Sequence, residues 1–489
     1  MVSSSKTGDV SKTRYVFSID TELTLGNVRF LPEYLRRRYL LQHDKYRAFW
    51  DIHVITNDVD GDSLSYKVAS PYRNQFVDVR VEAQVPIRVE FILSDAMISK
   101  SYVDDLYEDL FLMVQLFEEE VRETTLSLAF MPGETFSDRK EDSGMLIRFF
   151  ADSMLPLFII LTALTFGIFW IFGGYAPLIY VVVSGILALI SGKLLAQTGK
   201  WNITLQHPEI HLLQYHLTPH QFEAFREQYG SRLSTIRKAF YNATIAAHQP
   251  ITCETAGSIF TEYGIACDPK DFTVKHVNLY DLVSTAASKF GMAMPAIVVV
   301  DSIIPNAAAA GPNVNYGTIV VTTGLLAQLE DDELVSIFGH ELSHLAHHDP
   351  LLMSAVSSME YLLRFYVFWP YLFFLGIGSY WLYSLVSLSS IYLIGKIIEG
   401  RADLEAAKML RHPQALAEAL KKIAFRRLFP LSKREPAFRG YRRLEWFQLD
   451  PHPPAYFRIA RLEQLDDPDQ LANTLVQSIR DSVNGFLRG

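Results

Sequence analysis

The sequence predicts an α+β, multi-domain integral membrane protein with four transmembrane helices in two hairpins, preceded by a soluble α+β domain. Three observations carry that reading. Of the 489 residues 49% are hydrophobic and the mean hydropathy is positive, which is high for a chain dissolved in water. Two long runs lack any charged residue, Ser153 to Gly192 and Phe365 to Gly395. Ahead of both, Val77-Asp-Val-Arg-Val-Glu and Ile87-Arg-Val-Glu-Phe alternate apolar and charged side chains, the period of half-buried strands.

The N-terminus is polar through Lys12, and no apolar stretch follows a basic start, so no signal peptide is expected to be removed. Residues 1–145 form the expected soluble domain. Within it, Asn57 to Asp62 reads as a hairpin turn. Its Asp58-Val-Asp-Gly-Asp run lacks the later ligands of a calcium loop, which leaves a plain turn. A helix is expected over 101–124, with Leu106, Leu110, Met113, Val114 and Phe117 as its core-facing stripe.

Each uncharged run exceeds the ~20 residues that one crossing needs. Gly173-Gly-Tyr-Ala-Pro divides the first into spans at 153–172 and 176–195, within a hairpin over 150–197. Gly376-Ile-Gly-Ser divides the second, extended back to Leu351, into spans at 351–375 and 379–397. Glu360 and Arg364 lie one helical turn apart in the third span and can pair there or lie near the interface, which lowers their cost in lipid. Residues 200–349 and 398–489 are then two parts of one catalytic domain, separated by the 351–397 hairpin. Both hairpin tips lack charge, whereas Arg148, Lys193, Lys200 and the basic stretch Lys421–Arg443 flank the other side. The positive-inside rule therefore places both termini and the central region in the cytoplasm. The basic stretch reads equally as a solvated helix face or as a contact with anionic headgroups.

The net charge of -9 argues against a nucleic-acid partner, which requires an excess of basic residues. Cys253 and Cys267 have neither the number nor the spacing of a disulfide framework or a cysteine metal site, and they are expected to stay reduced.

The chemistry concentrates in His340-Glu341-Leu-Ser-His344. Acidic residues at Asp331, Asp332 and Glu333 favour a helix start, and Leu334, Ile337, Phe338, Leu342 and Leu345 repeat at helical spacing. On that helix His340 and His344 project from one face, one turn apart, and can converge on a tetrahedral zinc. Glu341 is placed to take a proton from a water that the metal acidifies. A catalytic zinc needs a third protein ligand and an open position. Pro350 stands where the extended metzincin pattern would carry a third histidine. His347 and His348 fall on other faces. The third ligand is therefore read as Glu399, in Glu399-Gly-Arg-Ala-Asp403, which the second hairpin returns to the metal's side. Asp403, one turn further, can accept a hydrogen bond from a ligand histidine.

The order of His340-Glu-Leu-Ser-His344, two hydrophobic spans and Glu399-Gly-Arg-Ala-Asp403 resembles the HtpX family of membrane zinc metallopeptidases, relatives of the CAAX prenyl proteases. Pro295-Ala-Ile-Val-Val-Val-Asp-Ser, Asn306-Ala-Ala-Ala-Ala-Gly311, Gly317-Thr-Ile-Val-Val-Thr-Thr-Gly and His452-Pro-Pro-Ala-Tyr-Phe-Arg458-Ile resemble further family elements. The likeness covers roughly 150–200 and 275–465 and leaves out 1–145. It implies a mainly helical, zincin-type (gluzincin) protease domain with a small sheet and one zinc per chain. It also implies His340, His344 and Glu399 as ligands, Glu341 as the base and Asp403 as the supporting acid. Asn306, Ala307, Ala308, Ala309, Ala310 and Gly311 would border the cleft and pair with an extended substrate. His452 would stabilise the oxyanion or else cap a turn, and Arg458 would brace the site or a buried acid.

The expected function is zinc-dependent endopeptidase activity on protein or peptide substrates, membrane proteins among them, in quality control or processing. The expected address is the bilayer of a bacterial inner membrane, with room for a homo-oligomer. Three other readings compete. A catalytically silent scaffold has no use for Glu341. A prenyl-protein processing protease needs a chamber of more spans than four. A zinc-stabilised binding protein needs a closed four-ligand site, with His347 or His452 as the fourth.

Overall fold

The computed structural model describes residues 13–41, 48–56, 62–70, 75–134, 163, 167–197, 199–432, 445–446 and 450–488. They fall into two compact units.

The first unit lies within residues 1–130, 211–275 and 425–434. Its strands β1 (Arg14–Ile19), β2 (Phe49–Ile55), β3 (Ser63–Ala69), β4 (Phe76–Glu82) and β5 (Ile87–Leu93) form an antiparallel sheet in the order β1-β5-β4-β3-β2. The alternation read from the sequence is the β4 and β5 pattern: Val77, Val79, Val81, Ile87, Val89 and Phe91 are buried. Lys100–Arg122 is helical, started by Ser99, whose hydroxyl accepts from the Tyr102 amide. Its Leu106, Leu110, Met113, Val114 and Phe117 are buried as their spacing predicts. The turn read at Asn57–Asp62 lies outside the described residues except for Asp62.

Strand β6 (Thr125–Phe130) pairs with a later strand, β8 (Glu209–His216), in a three-stranded sheet ordered β6-β8-β9, with β9 at Phe272–Asn278. Short helices follow β8, and Tyr215, Phe240, Phe260 and Phe272 stack among them. Here one expectation fails: Cys253 and Cys267 are joined by a disulfide, with Cα atoms 5.7 Å apart. Cys253 opens a helix and Cys267 follows its return loop, so the fold brings two isolated cysteines within bonding range. Reasoning from cysteine number could not detect that.

The second unit lies within residues 131–210, 276–424 and 435–489. Its four-stranded sheet runs β11-β12-β10-β7, where β7 is Trp201–Ile203, β10 Ala296–Val300, β11 Ala307–Ala310 and β12 Thr318–Thr322. β10 and β12 are parallel, and β11 is antiparallel to β12, leaving β11 at the edge.

Three helices among the described residues are long and apolar enough to cross a membrane: Gly167–Ala196, Asp349–Phe368 and Gly378–Leu410. Most of the first expected span, 153–172, lies outside the described residues. The two glycines read as a hairpin turn form a single 3-10 turn at Gly173–Tyr175, and Ala176–Ala196 follows as a helix. The third expected span is not one regular helix. Asp349–Leu363 gives way to a π-helical turn at Arg364–Phe368 and then to Trp369–Leu375. Glu360 and Arg364 do pair, at 3.3 Å, at the start of that turn. Gly376, with φ of 88°, makes the break the sequence indicated. Ile377–Leu410 then runs unbroken for 34 residues, about 50 Å at 1.5 Å per residue, well beyond one bilayer core.

Candidate metal centre

The His340 helix, Asp331–Ala346, begins with a capping box in which Glu330 and Glu333 satisfy each other's amides. Leu334, Phe338, Leu342 and Leu345 are fully buried along one stripe, and the helix packs against the edge strand β11. At Gly339 a Cβ would meet Leu410 Cδ1 at 2.6 Å, so a larger residue there would have to displace the end of that leucine side chain on the Glu399 helix. Burying Glu333 favours its neutral form and pushes its pKa up, opposed by the Lys422 ammonium 2.8 Å away. The helix stops where His348 adopts a left-handed φ of 58° and donates through Nδ1 to the Pro312 carbonyl oxygen at 2.6 Å. Asp349 and Pro350 restart the chain as the next helix.

Three donor atoms converge. His340 Nε2 lies 3.2 Å from His344 Nε2 and 3.2 Å from Glu399 Oε2, and His344 Nε2 lies 3.5 Å from Glu399 Oε1. A tetrahedral metal with arms of 2.0–2.1 Å requires ligand atoms about 3.3 Å apart, so the three residues fit a zinc-sized ion. They form a group able to hold a metal ion.

Each imidazole is turned by its other nitrogen. His340 Nδ1 lies 3.0 Å from Asp403 Oδ1, and Asp403 in turn receives Arg458 through two bonds of 2.7 and 2.8 Å. His344 Nδ1 donates to Asp349 Oδ2 at 2.8 Å, and Asp349 also holds Arg401. Both Nε2 atoms are thereby aimed inward, towards each other and Glu399. Burial disfavours charge on His340, yet Asp403 and Glu399 outweigh it and raise its pKa. The same negative field favours a cation among the three donors. Burial likewise opposes charge on Arg458, and Asp403 more than offsets that, holding its pKa above the usual value.

His340, Glu341, His344, Glu399, Asp403 and Arg458, each singled out from the sequence, thus lie in or beside one buried site. Of the two roles weighed for Arg458, the geometry is that of a brace on a buried acid. His452 stands at the rim, 48% exposed, with Nε2 3.7 Å from Glu399 Oε2 and Nδ1 2.8 Å from Asp450. His347 points elsewhere, to Glu405 at 2.9 Å. Asn306 leads into β11, where its amide donates to Thr322, and Ala307–Ala310 are the edge strand itself. Gly311 closes it at φ of 120°, where a Cβ would strike Tyr316 O at 2.5 Å. Sequence reasoning missed Asp349 and Arg401. An acid five residues after the second histidine, just past a tight turn, was the available signal.

A buried His-Glu-x-x-His pair closed by a glutamate from a membrane-type helix defines a metalloprotease. Comparison with known proteins agrees. The profile of peptidase family M48 matches residues 275–466. The Protease HtpX homolog of Methanocaldococcus jannaschii is 31% identical over 212 residues, covering 38% of this chain and 74% of that protein. Those of Methanopyrus kandleri and Acidiphilium cryptum are 34% and 31% identical, covering 40% and 39% of this chain and 69% and 75% of theirs. The chain belongs to peptidase family M48, as an HtpX-like metallopeptidase.

Proposed function

We propose that the protein is a zinc-dependent endopeptidase of the gluzincin kind, cleaving membrane-protein or peptide substrates in quality control or processing. The observation that carries this is the triangle of His340, His344 and Glu399 donor atoms at tetrahedral spacing. When bound, zinc supplies a Lewis acid that lowers the pKa of water and polarises the scissile carbonyl. Glu341, adjacent to His340 on the same buried helix, takes the proton of the attacking water and passes it to the leaving amine. His452 donates to the oxyanion as it develops. An extended substrate adds to the open edge of β11, along Asn306–Gly311.

The proposed organisation has a soluble domain at 1–145, membrane hairpins at 150–197 and 351–397 with four spans in all, and a protease domain at 200–349 and 398–489. Lys193, Lys200 and the basic residues after Lys421 support a cytoplasmic site in a bacterial inner membrane. The Cys253–Cys267 bond pulls the other way, since disulfides persist in oxidising compartments. Maleimide labelling in intact cells decides: a cytoplasmic site predicts labelling without reductant, and labelling only after reduction places this region outside.

The proposal is tested by purifying wild type and Glu341→Gln in detergent and measuring bound zinc and casein cleavage together. One zinc in each, with cleavage falling at least ~100-fold in the variant, is expected for loss of a general base. Absence of zinc from wild type would refute it.

A further inference from the structure

The helix Thr474–Arg488 is built inside out. Its buried face is small and polar: Ser478 is 0% and Ser482 3% exposed. Its open face carries Leu475, Val476, Ile479, Val483 and Leu487, at the i, i+4 spacing of a continuous stripe, while Phe486 packs against Trp446. These are between 40% and 65% exposed, the reverse of a surface helix of a soluble domain. The inversion is enforced by packing. Ser478 Oγ donates to Ile397 O at 2.7 Å, and a Cβ on Gly400 would meet that Oγ at 2.5 Å. The serine face is therefore held against the Glu399 helix and cannot roll outward.

The direction of this contact says what lies on the stripe. Leu471, just before the helix, accepts from Lys408, whereas Ser478 reaches Ile397. The segment thus runs back along the Glu399 helix, from its water-facing end towards the apolar part. Beyond Ser478 the helix continues in that direction, and at Gly485 it packs on Phe457 and Trp446, whose ring atoms a Cβ there would meet at 2.5–2.9 Å. The apolar part of the neighbour towards which it runs exposes Leu385, Val386, Leu388 and Leu393. Arg480 borders the stripe and is exposed, placed to reach headgroups.

We propose that Thr474–Arg488 is a membrane-interfacial anchor, its stripe from Leu475 to Leu487 lying against lipid beside the span that carries Glu399. Docking through Ser478 and Gly400 then ties the bilayer surface to the turn that follows Glu399. The inference rests on the reading of the Ile377–Leu410 helix as membrane-spanning. The test uses the full chain in lipid nanodiscs, with single labelled cysteines at Leu475, Val483 and Leu487. Leu385 serves as the lipid reference and Asp466 as the water reference. Lipid-borne nitroxide is expected to quench the label at Leu487 most, then Val483, then Leu475, each several-fold more than at Asp466. Quenching at these three sites by water-soluble nitroxide, as at Asp466, would overturn the proposal. So would shielding from both quenchers, which would point to a second copy or a protein partner on the stripe. If the Leu385 label also escapes lipid quenching, the membrane reading falls instead.

Discussion

His340 and His344 stand one turn apart on one helix, yet they are braced from opposite quarters of the chain. His344 leans on Asp349, five residues on, through a turn fixed by the left-handed His348. His340 leans on Asp403, which comes from beyond the second apolar run and is itself clamped by Arg458 from a still later helix. The first brace is nearly local, and only its arginine, Arg401, arrives from a distance. The second exists only once three separated segments have met. One ligand is thus oriented by the helix's own continuation, and the other registers that the protease halves have assembled.

Substitutions sharpen or break this contrast. The largest effect is expected for Glu399→Gln, which removes the third donor, the one that neither brace orients; equilibrium dialysis should find no stoichiometric zinc. Asp403→Asn should weaken zinc binding about 100-fold, the upper end for a supporting residue, because no neighbouring turn holds the His340 ring in its place. Asp349→Asn should cost about 10-fold by the same chelator competition, since helix geometry alone still presents His344. Equal losses in the two variants would end the distinction between local and assembled braces.

The smallest effect on metal is expected for Lys422→Met, which breaks a buried ion pair at the start of the same helix but touches neither brace. Zinc affinity should stay as in wild type while stability falls by about 3 kcal/mol. The sign with pH is fixed. Lys422 opposes the upward push of burial on Glu333, so its removal raises the folded carboxyl pKa further above the ordinary 4.5. The folded state then binds more protons than the unfolded one. The deficit is therefore least in acid and grows as pH rises through that window, readable from thermal melts at a series of pH values.

The site was largely legible because it obeys local rules. The i, i+4 histidines share a face, and two long apolar helices return Glu399 to them. The buried alternation of β4 and β5 was legible for the same reason. What escaped depends on contacts between distant residues. Arg401 acquires meaning only beside Asp349, 52 positions away. The Cys253–Cys267 bond depends on how a loop returns, and the π-turn at Arg364–Phe368 leaves no mark in a hydropathy run. The serine-inward packing of Thr474–Arg488 was equally hidden, since an amphipathic helix does not announce which face is covered.

One consequence belongs to the unbroken helix Ile377–Leu410. A rod without a joint passes displacement along its length undiminished. Sliding it by a single residue's rise, about 1.5 Å, would carry the Glu399 carboxylate most of a metal–oxygen bond length, about 2.0–2.2 Å, away from the histidines. The depth at which this rod is held therefore bears directly on the distance between Glu399 and the two histidines.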